Sequence, residues 1–266
     1  MVLSIAIAGI FTFAFVSGRN EGRLKSKRDR ALFFTISFLI VYVFGAFLYF
    51  GNYYHASEEA LSCLNSTEDV EVSECKDYYF FDGYGEDTAL IFYQGAKVDE
   101  KAYAGIMMRL AKGGVDCFLC KMPLNMAFTD KMKAAGIISS YDYKYLYLGG
   151  HSLGGAMAGV FASEHPENLT GLIFLASYST SPISDNLDVL SLIASEDKVL
   201  NWDMYYENNV NLPDDFKEVM IEGGIHSYFG DYGIQRKDGT PLISKEEQHE
   251  KITEEILNFI EEKKTK

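Results

Sequence analysis

Hydrophobic and polar positions divide the chain into two unlike parts. The first opens on two apolar runs separated by a basic stretch. Residues 31–50, ALFFTISFLIVYVFGAFLYF, carry no charge. At about 1.5 Å per residue a helix of that length spans roughly 30 Å, the thickness of a bilayer's hydrocarbon core. Tyr49, Tyr53 and Tyr54 gather at its far end, where amphipathic rings favour the membrane interface. Residues 2–17 are also uncharged, but they sit near the lower length limit for a span and lack the basic start of a secretory signal. One or two helices therefore insert, and a hairpin of two fits the flanks better. The anchor is expected to cover residues 1–54, with residues 18–30 as its linker and residues 55–87 as a juxtamembrane segment.

From residue 88 to the end the pattern alternates. Apolar runs at 89–93, 115–122, 143–148, 171–176, 189–194 and 216–221 read as buried strands. Between them lie helical patterns. Asp99 caps one whose apolar face is Tyr103, Ile106, Met107 and Leu110, stopped by Gly113-Gly114. A short one covers 130–135. One rich in small residues follows Ser152 and ends at His165-Pro166. The last starts at a capping box, Ser244 with Glu247, and aligns Ile252, Ile256, Phe259 and Ile260. Strands apolar throughout, alternating with amphipathic helices, predict an α/β fold with a mainly parallel sheet covered on both faces.

Charge adds an orientation. Of 24 cations and 38 anions in the chain, residues 1–50 hold six and two, which leaves 18 and 36, and about −18 net, for the remainder. So acidic a domain is a poor partner for nucleic acid or an anionic lipid surface. The basic linker stays in the cytoplasm by the positive-inside rule, which puts the acidic domain on the extracytoplasmic side of the cell membrane.

The four cysteines change little. A bridge between Cys63 and Cys75 would close a short loop worth up to about 3 kcal/mol, with two unpaired thiols as the plain alternative. Cys117 and Cys120 fall within one strand pattern, where residues three apart face opposite sides about 10 Å apart. They read as core thiols.

Chemistry concentrates at Gly150-His151-Ser152-Leu153-Gly154, a G-x-S-x-G between an apolar strand and a small-residue helix. A serine on that sharp turn stands clear of the sheet, and a side chain at Gly150 or Gly154 would collide across it. Its hydroxyl needs a base. Among His55, His151, His165, His226 and His249, only His226 falls in a loop after the last predicted strand; His249 is expected on the solvent side of its helix. The acid that orients the imidazole belongs after the strand at 189–194, where Asp197 is preferred over Glu196, Asp185 and Asp231. Two backbone N–H groups are expected to form an oxyanion hole, those of Leu153 and of Ala96, with Lys97 as rival to the second.

Taken in order, Tyr93-Gln94-Gly95-Ala96, Gly150-His151-Ser152-Leu153-Gly154-Gly155, Ser195-Glu196-Asp197 and Gly223-Gly224-Ile225-His226 resemble the landmarks of the α/β-hydrolase superfamily. The likeness covers residues 88–262 and is greatest to the compact, esterase-like branch related to dienelactone hydrolases. The run from His226 to Gly233 resembles one common in bacterial members. The resemblance implies a serine hydrolase acting on carboxylic esters or thioesters through an acyl-enzyme, without metal or cofactor. Two departures stand out. Dienelactone hydrolases proper use a cysteine nucleophile, and the usual His-Gly of the oxyanion loop is Gln94-Gly95 here. No cap domain is expected, so the site should be open. Trp202 and Tyr205 are candidates for an acyl pocket, with core packing as the alternative. The expected partners are a small ester or lipid-like substrate and the membrane. A binding scaffold without catalysis and an acyltransferase are the competing functions.

Overall fold

The structure, a computed structural model, describes Ala14 and residues 26–265. The first predicted span, at 2–17, lies outside the described residues apart from Ala14, as does most of the basic linker. The chain divides into two compact units, one ending at Asn52 and one covering Tyr53–Lys266.

The first unit contains helix α1, Lys27–Gly51. It starts four residues earlier than the charge-free run because Ser26 and Asp29 form a capping box: Asp29 N–H donates to Ser26 Oγ at 3.0 Å, and Ser26 N–H donates to Asp29 Oδ2 at 3.1 Å. Lys27, Arg28 and Arg30 are thus helical residues rather than linker. With a mean hydropathy of 2.4 and none of that apolar stretch buried, α1 is long and apolar enough to cross a membrane.

The second unit is built on an eight-stranded sheet: β1 (Glu71–Glu74), β2 (Tyr78–Asp82), β3 (Thr88–Tyr93), β4 (Asp116–Cys120), β5 (Tyr145–His151), β6 (Gly171–Leu175), β7 (Asp188–Ala194) and β8 (Lys217–Ile221). The spatial order is β1-β2-β4-β3-β5-β6-β7-β8. Strands β3 to β8 run parallel, and the β1–β2 hairpin adds antiparallel to β4. Helices α2 (Glu58–Ser62), α3 (Ala104–Lys112), α4 (Lys133–Ile138), α5 (Leu153–Glu164), α6 (Trp202–Asn208) and α7 (Lys245–Lys264) complete it.

Every residue of β3, β4 and β6 is buried, which is what continuous apolar strands under helices on both faces require. One core cluster joins Leu90, Cys117, Tyr147 and Leu192 to Ile106 and Met107 of α3 and to Ile252, Ile256 and Phe259 of α7. The opposite face joins Ile91, Phe118, Cys120 and Leu148 to Ala158 and Phe161 of α5. Cys117 and Cys120 thus lie in different clusters, each as a free thiol.

Three expectations need correction. Residues 55–87 are not a separate juxtamembrane segment, because α2, β1 and β2 belong to the compact unit that starts at Tyr53. Cys63 and Cys75 are both free: Cys63 packs on the α3–α7 side of the core, while Cys75 sits in the β1–β2 turn, where its N–H meets Tyr78 C=O. His249 is buried rather than solvent-facing, and burial pushes its pKa down to about 4. Residues 176–187, between β6 and β7, contain no helix or strand, so nothing folds there as a cap.

Candidate active site

Strand β5 ends on His151, and α5 begins on Leu153. Ser152 alone makes the turn, at φ 52° and ψ −122°, a left-handed conformation that a non-glycine residue adopts only at a cost of order 1–3 kcal/mol. Its surroundings hold it there. Ser152 N–H donates to Leu175 C=O at 2.9 Å, and the Ser177 hydroxyl donates to Ser152 C=O at 2.7 Å. A Cβ at Gly150 would stand 2.5 Å from the Gly154 carbonyl carbon, and one at Gly154 would strike the carbonyl oxygens of Tyr93 and Gln94. Both glycines are there because backbone passes where a methyl would be.

Asp197 lies just past β7, with its carboxylate buried. Oδ1 accepts from the N–H groups of Val199 (2.7 Å) and Leu200 (2.8 Å), and Oδ2 lies 2.7 Å from His226 Nδ1. A carboxylate so held accepts a hydrogen bond from the ring's Nδ1–H, which leaves Nε2 as the lone-pair nitrogen. His226 Nε2 is buried and has no hydrogen-bond partner. Ser152 and His226 line one cavity, and no hydrogen bond joins their side chains in this structure. Of the rival acids, Asp231 instead pairs with Lys245 at 2.8 Å and accepts the Ser57 hydroxyl at 2.6 Å, and Glu196 is met by the neighbouring Ser195 hydroxyl.

The loop after β3 approaches from the other side. Lys97 N–H donates to Asn125 C=O at 2.8 Å and is therefore occupied, whereas Ala96 N–H has no partner among the described residues. Leu153 is the first residue of α5, where a backbone N–H has no intrahelical acceptor. Ala96 and Leu153 thus each keep a backbone N–H without a partner among the described residues, and of the two only Leu153 lines the cavity with Ser152.

A second histidine braces this loop, and the sequence reading missed it. Tyr103 Oη accepts from Gly95 N–H at 3.0 Å and lies 2.8 Å from His151 Nδ1. That oxygen therefore links the Gly95 backbone and the His151 ring through two hydrogen bonds. Burial, with the neighbouring His226 ring at 4.5 Å, pushes His151 well below the usual histidine range and keeps it neutral. It packs against the His226 ring as a neutral group. Nothing in the spacing of Tyr103 and His151 along the chain announces the pair.

The cavity has a volume of about 410 Å³ and is walled by Ala156, Met157, Ala176, Ser177, Tyr178, Thr180, Val199, Leu200 and Asn201 besides Ser152, Leu153 and His226. None of these walls is a carboxylate, a lysine or an arginine. Trp202 and Tyr205, expected as pocket candidates, do not line it. Trp202 Nε1 donates to Asp197 C=O at 2.9 Å and so props the acid loop. Tyr205 is fully buried, its hydroxyl between Ser191 (2.8 Å) and Glu218 (2.7 Å).

A sequence profile described as the alpha/beta hydrolase family matches residues 89–250. No curated protein matches the chain. Among solved structures, MGS-MChE2, an alpha/beta hydrolase enzyme from the metagenome of sediments of the Mar Chica lagoon in Morocco, is 14% identical. The likeness covers 73% of this chain and 99% of that one, with a TM-score of 0.56. The monoacylglycerol lipase of Paleococcus ferrophilus is 15% identical over 69% and 99% of the two chains, with a TM-score of 0.54. Est1E from Butyrivibrio proteoclasticus is 12% identical over 73% and 99%, with a TM-score of 0.50.

Proposed function

The chain belongs to the alpha/beta hydrolase family, and from that premise we propose that it is a serine hydrolase that cleaves a carboxylic ester or thioester through an acyl-enzyme. Ser152 is the nucleophile, His226 the general base and then acid, and Asp197 the group that orients the imidazole and stabilises its protonated form. The observation that carries this reading is the buried Asp197–His226 pair, whose free Nε2 shares a cavity with a serine held at a strained turn.

In the first step the substrate carbonyl sits at the mouth of the cavity. His226 Nε2 takes the Ser152 proton as Oγ attacks, and the N–H groups of Leu153 and Ala96 receive the developing oxyanion. Collapse expels the alcohol or thiol, which takes the proton from His226, and water then repeats the cycle to free the acid. Catalytic hydrogen bonds are often long before substrate binds, and the Ser152–His226 contact has to close in the complex. Uncharged walls, with Met157, Val199 and Leu200 among them, favour an uncharged acyl group. The family likeness leaves the substrate open, so this preference rests on the cavity.

The separation of Ser152 from its base is the one feature that favours a second reading, a binding protein that keeps the fold without turnover. Labelling of the full chain by a fluorophosphonate probe decides between them. The parent should label, and Ser152→Ala and His226→Ala should lose labelling by a factor of about 10³ or more. A parent that never labels, or variants that label like the parent, would leave the binding reading standing. The basic residues at the start of α1 further favour a domain held on the extracytoplasmic face of a membrane. An impermeant thiol reagent applied to intact cells should leave cysteines placed at residues 19–30 unmodified.

A further inference from the structure

Apart from the cavity at Ser152, a cleft of about 530 Å³ opens where α2, α3 and the start of α7 meet, and the two share no lining residue. Helices α3 and α7 run side by side here in the same direction. Arg109 Nη1 lies 4.0 Å from Glu250 Oε1, and further along a Cβ at Gly113 would stand 2.6 Å from Leu257 Cδ1. At the opposite end Gly105 faces the Cys63 thiol at the close of α2, where a Cβ would lie 3.9 Å from Sγ. Ala60 and Met108 supply apolar lining.

The two ends of the cleft carry opposite charge. At the α2 end, Lys245 Nζ gathers three carboxylates: Glu59 Oε2 at 2.8 Å, Asp231 Oδ1 at 2.8 Å and Glu246 Oε1 at 3.5 Å. One ammonium among three carboxylates leaves two negative charges in excess. At the other end, Arg109 meets Glu250 at 4.0 Å, and Lys112 has no carboxylate partner among the described residues. The helix dipole accounts for cations at the end of α3, but not for the cleft or for what lies between its ends. There sits His249, 6% exposed, whose Nε2 is buried without a partner. Burial keeps the ring neutral, with Asp231, Lys245, Glu246 and Arg109 as the charged groups around it. A neutral imidazole nitrogen in that position lacks the hydrogen bond that an amide would complete. Five helical residues from Lys245 to Glu250, and seven from Gly105 to Lys112, put the ends about 7–10 Å apart. Two or three extended peptide residues cover the same distance, at about 3.3–3.6 Å each. We infer that the cleft binds a peptide of two or three residues with free ends: its ammonium beside Glu59, Asp231 and Glu246, its carboxylate at Arg109 and Lys112, and a backbone amide against His249. A ligand of a single sign would meet like charge at one end. Nothing in this site depends on the chemistry at Ser152.

Calorimetric titration of the full chain in an uncharged detergent tests this, with triglycine as the probe beside N-acetyl-triglycine and triglycine amide. Triglycine should bind saturably below about 10 mM, and each blocked peptide about tenfold more weakly or worse. Arg109→Met/Lys112→Met should abolish the preference for triglycine over its amide and keep the preference over the acetylated peptide. Glu59→Gln/Glu246→Gln should do the reverse. All four side chains are exposed, and a ratio of affinities within one variant is unaffected by any loss of folded protein. The ring-proton signals of His249 should shift as triglycine is added. Acetylated peptide binding as tightly as triglycine would leave a plain anion site, and amide binding as tightly would leave a plain cation site. Either result, no saturable binding of triglycine, or binding that leaves His249 unmoved would overturn the inference.

Discussion

Ser152, Asp197 and His226 lie 29 or more residues apart along the chain, yet the identity of each is constrained locally. The turn at Ser152 leaves a mark in sequence because two glycines must flank the serine, and Gly154 shows why: Tyr93 and Gln94 carbonyls occupy the volume of its missing methyl. Asp197 and His226 are marked by what precedes them, the ends of β7 and β8. The pocket walls leave no such mark. Met157, Tyr178 and Leu200 reach the cavity through the angle at which α5 and two loops leave the sheet, and helical spacing around Trp202 and Tyr205 cannot say which side meets it. The Tyr103–His151 brace is equally invisible, since it joins two elements by a single hydrogen bond. Its weight is open to measurement. Tyr103→Phe leaves Gly95 N–H and His151 Nδ1 buried without partners, at about 1–3 kcal/mol each. The variant should melt several degrees lower, and the phosphonate should label Ser152 about tenfold more slowly, since the proposed oxyanion loop loses its anchor. A variant that melts lower yet labels at the parent's rate would show Tyr103 to be a structural group only.

At the level of elements, β3 to β7 were legible because burial on both faces makes them nearly continuously apolar, while the edge strand β8, Lys217–Ile221, shows only a short apolar end. The β1–β2 hairpin was not legible. Strand β1, Glu71-Val72-Ser73-Glu74, has both ends in solvent, and an edge strand of this kind has no hydrophobic face to betray it. The aromatic run of β2 carried the only hint, and its proximity to the apolar helix disguised it. The start of α1 is marked by Ser26 and Asp29, a capping box that lies ahead of the charge-free run and extends the helix through three basic residues. Loops are legible least of all, and here they do the positioning. Asp238 ties two of them together: Oδ2 accepts from Ser227 N–H (2.7 Å) and from the Ser227 hydroxyl (2.5 Å), and Oδ1 accepts from Lys198 N–H (3.4 Å). Ser227 and Lys198 are the immediate neighbours of His226 and Asp197, so one carboxylate sets the spacing of the proposed base and acid. Asp238→Ala should lower kcat on a soluble ester by about tenfold to a hundredfold with KM little changed, because ground-state binding does not use this spacing and proton transfer does. Asp238→Glu, which keeps the charge at a different reach, should recover only part of it. A change in KM alone would place Asp238 in substrate binding instead.

Across the whole molecule, burial of histidine ties stability to pH with a sign that can be worked out. His249, pushed down to about 4, and His151, pushed well below the usual histidine range, stay neutral in the folded domain while the unfolded chain protonates near 6.5. Between those values the unfolded state binds more protons, so stability is present in full above about 6.5 and is lost as pH falls, at up to about 1.4 kcal/mol per pH unit for each histidine. Asp116 and Glu100 work the other way. Burial raises their carboxyl groups, so their contribution is present at low pH and is lost as pH rises through the raised values. Their window overlaps the acid end of the histidines' window and partly offsets it. The net slope should therefore build below 6.5, be steepest between about pH 5 and 6, and flatten toward 4. Relief of repulsion among the excess anions adds to that flattening, since each carboxylate that takes a proton lowers the domain's self-repulsion. Replacing His249 with Gln, which fills similar space but never charges, should remove about half of the slope measured between pH 6.5 and 5 by thermal melting at fixed salt. An unchanged slope would mean that the unfolded chain does not protonate residue 249 more readily than the folded one, and that the space around it admits enough water to carry the charge.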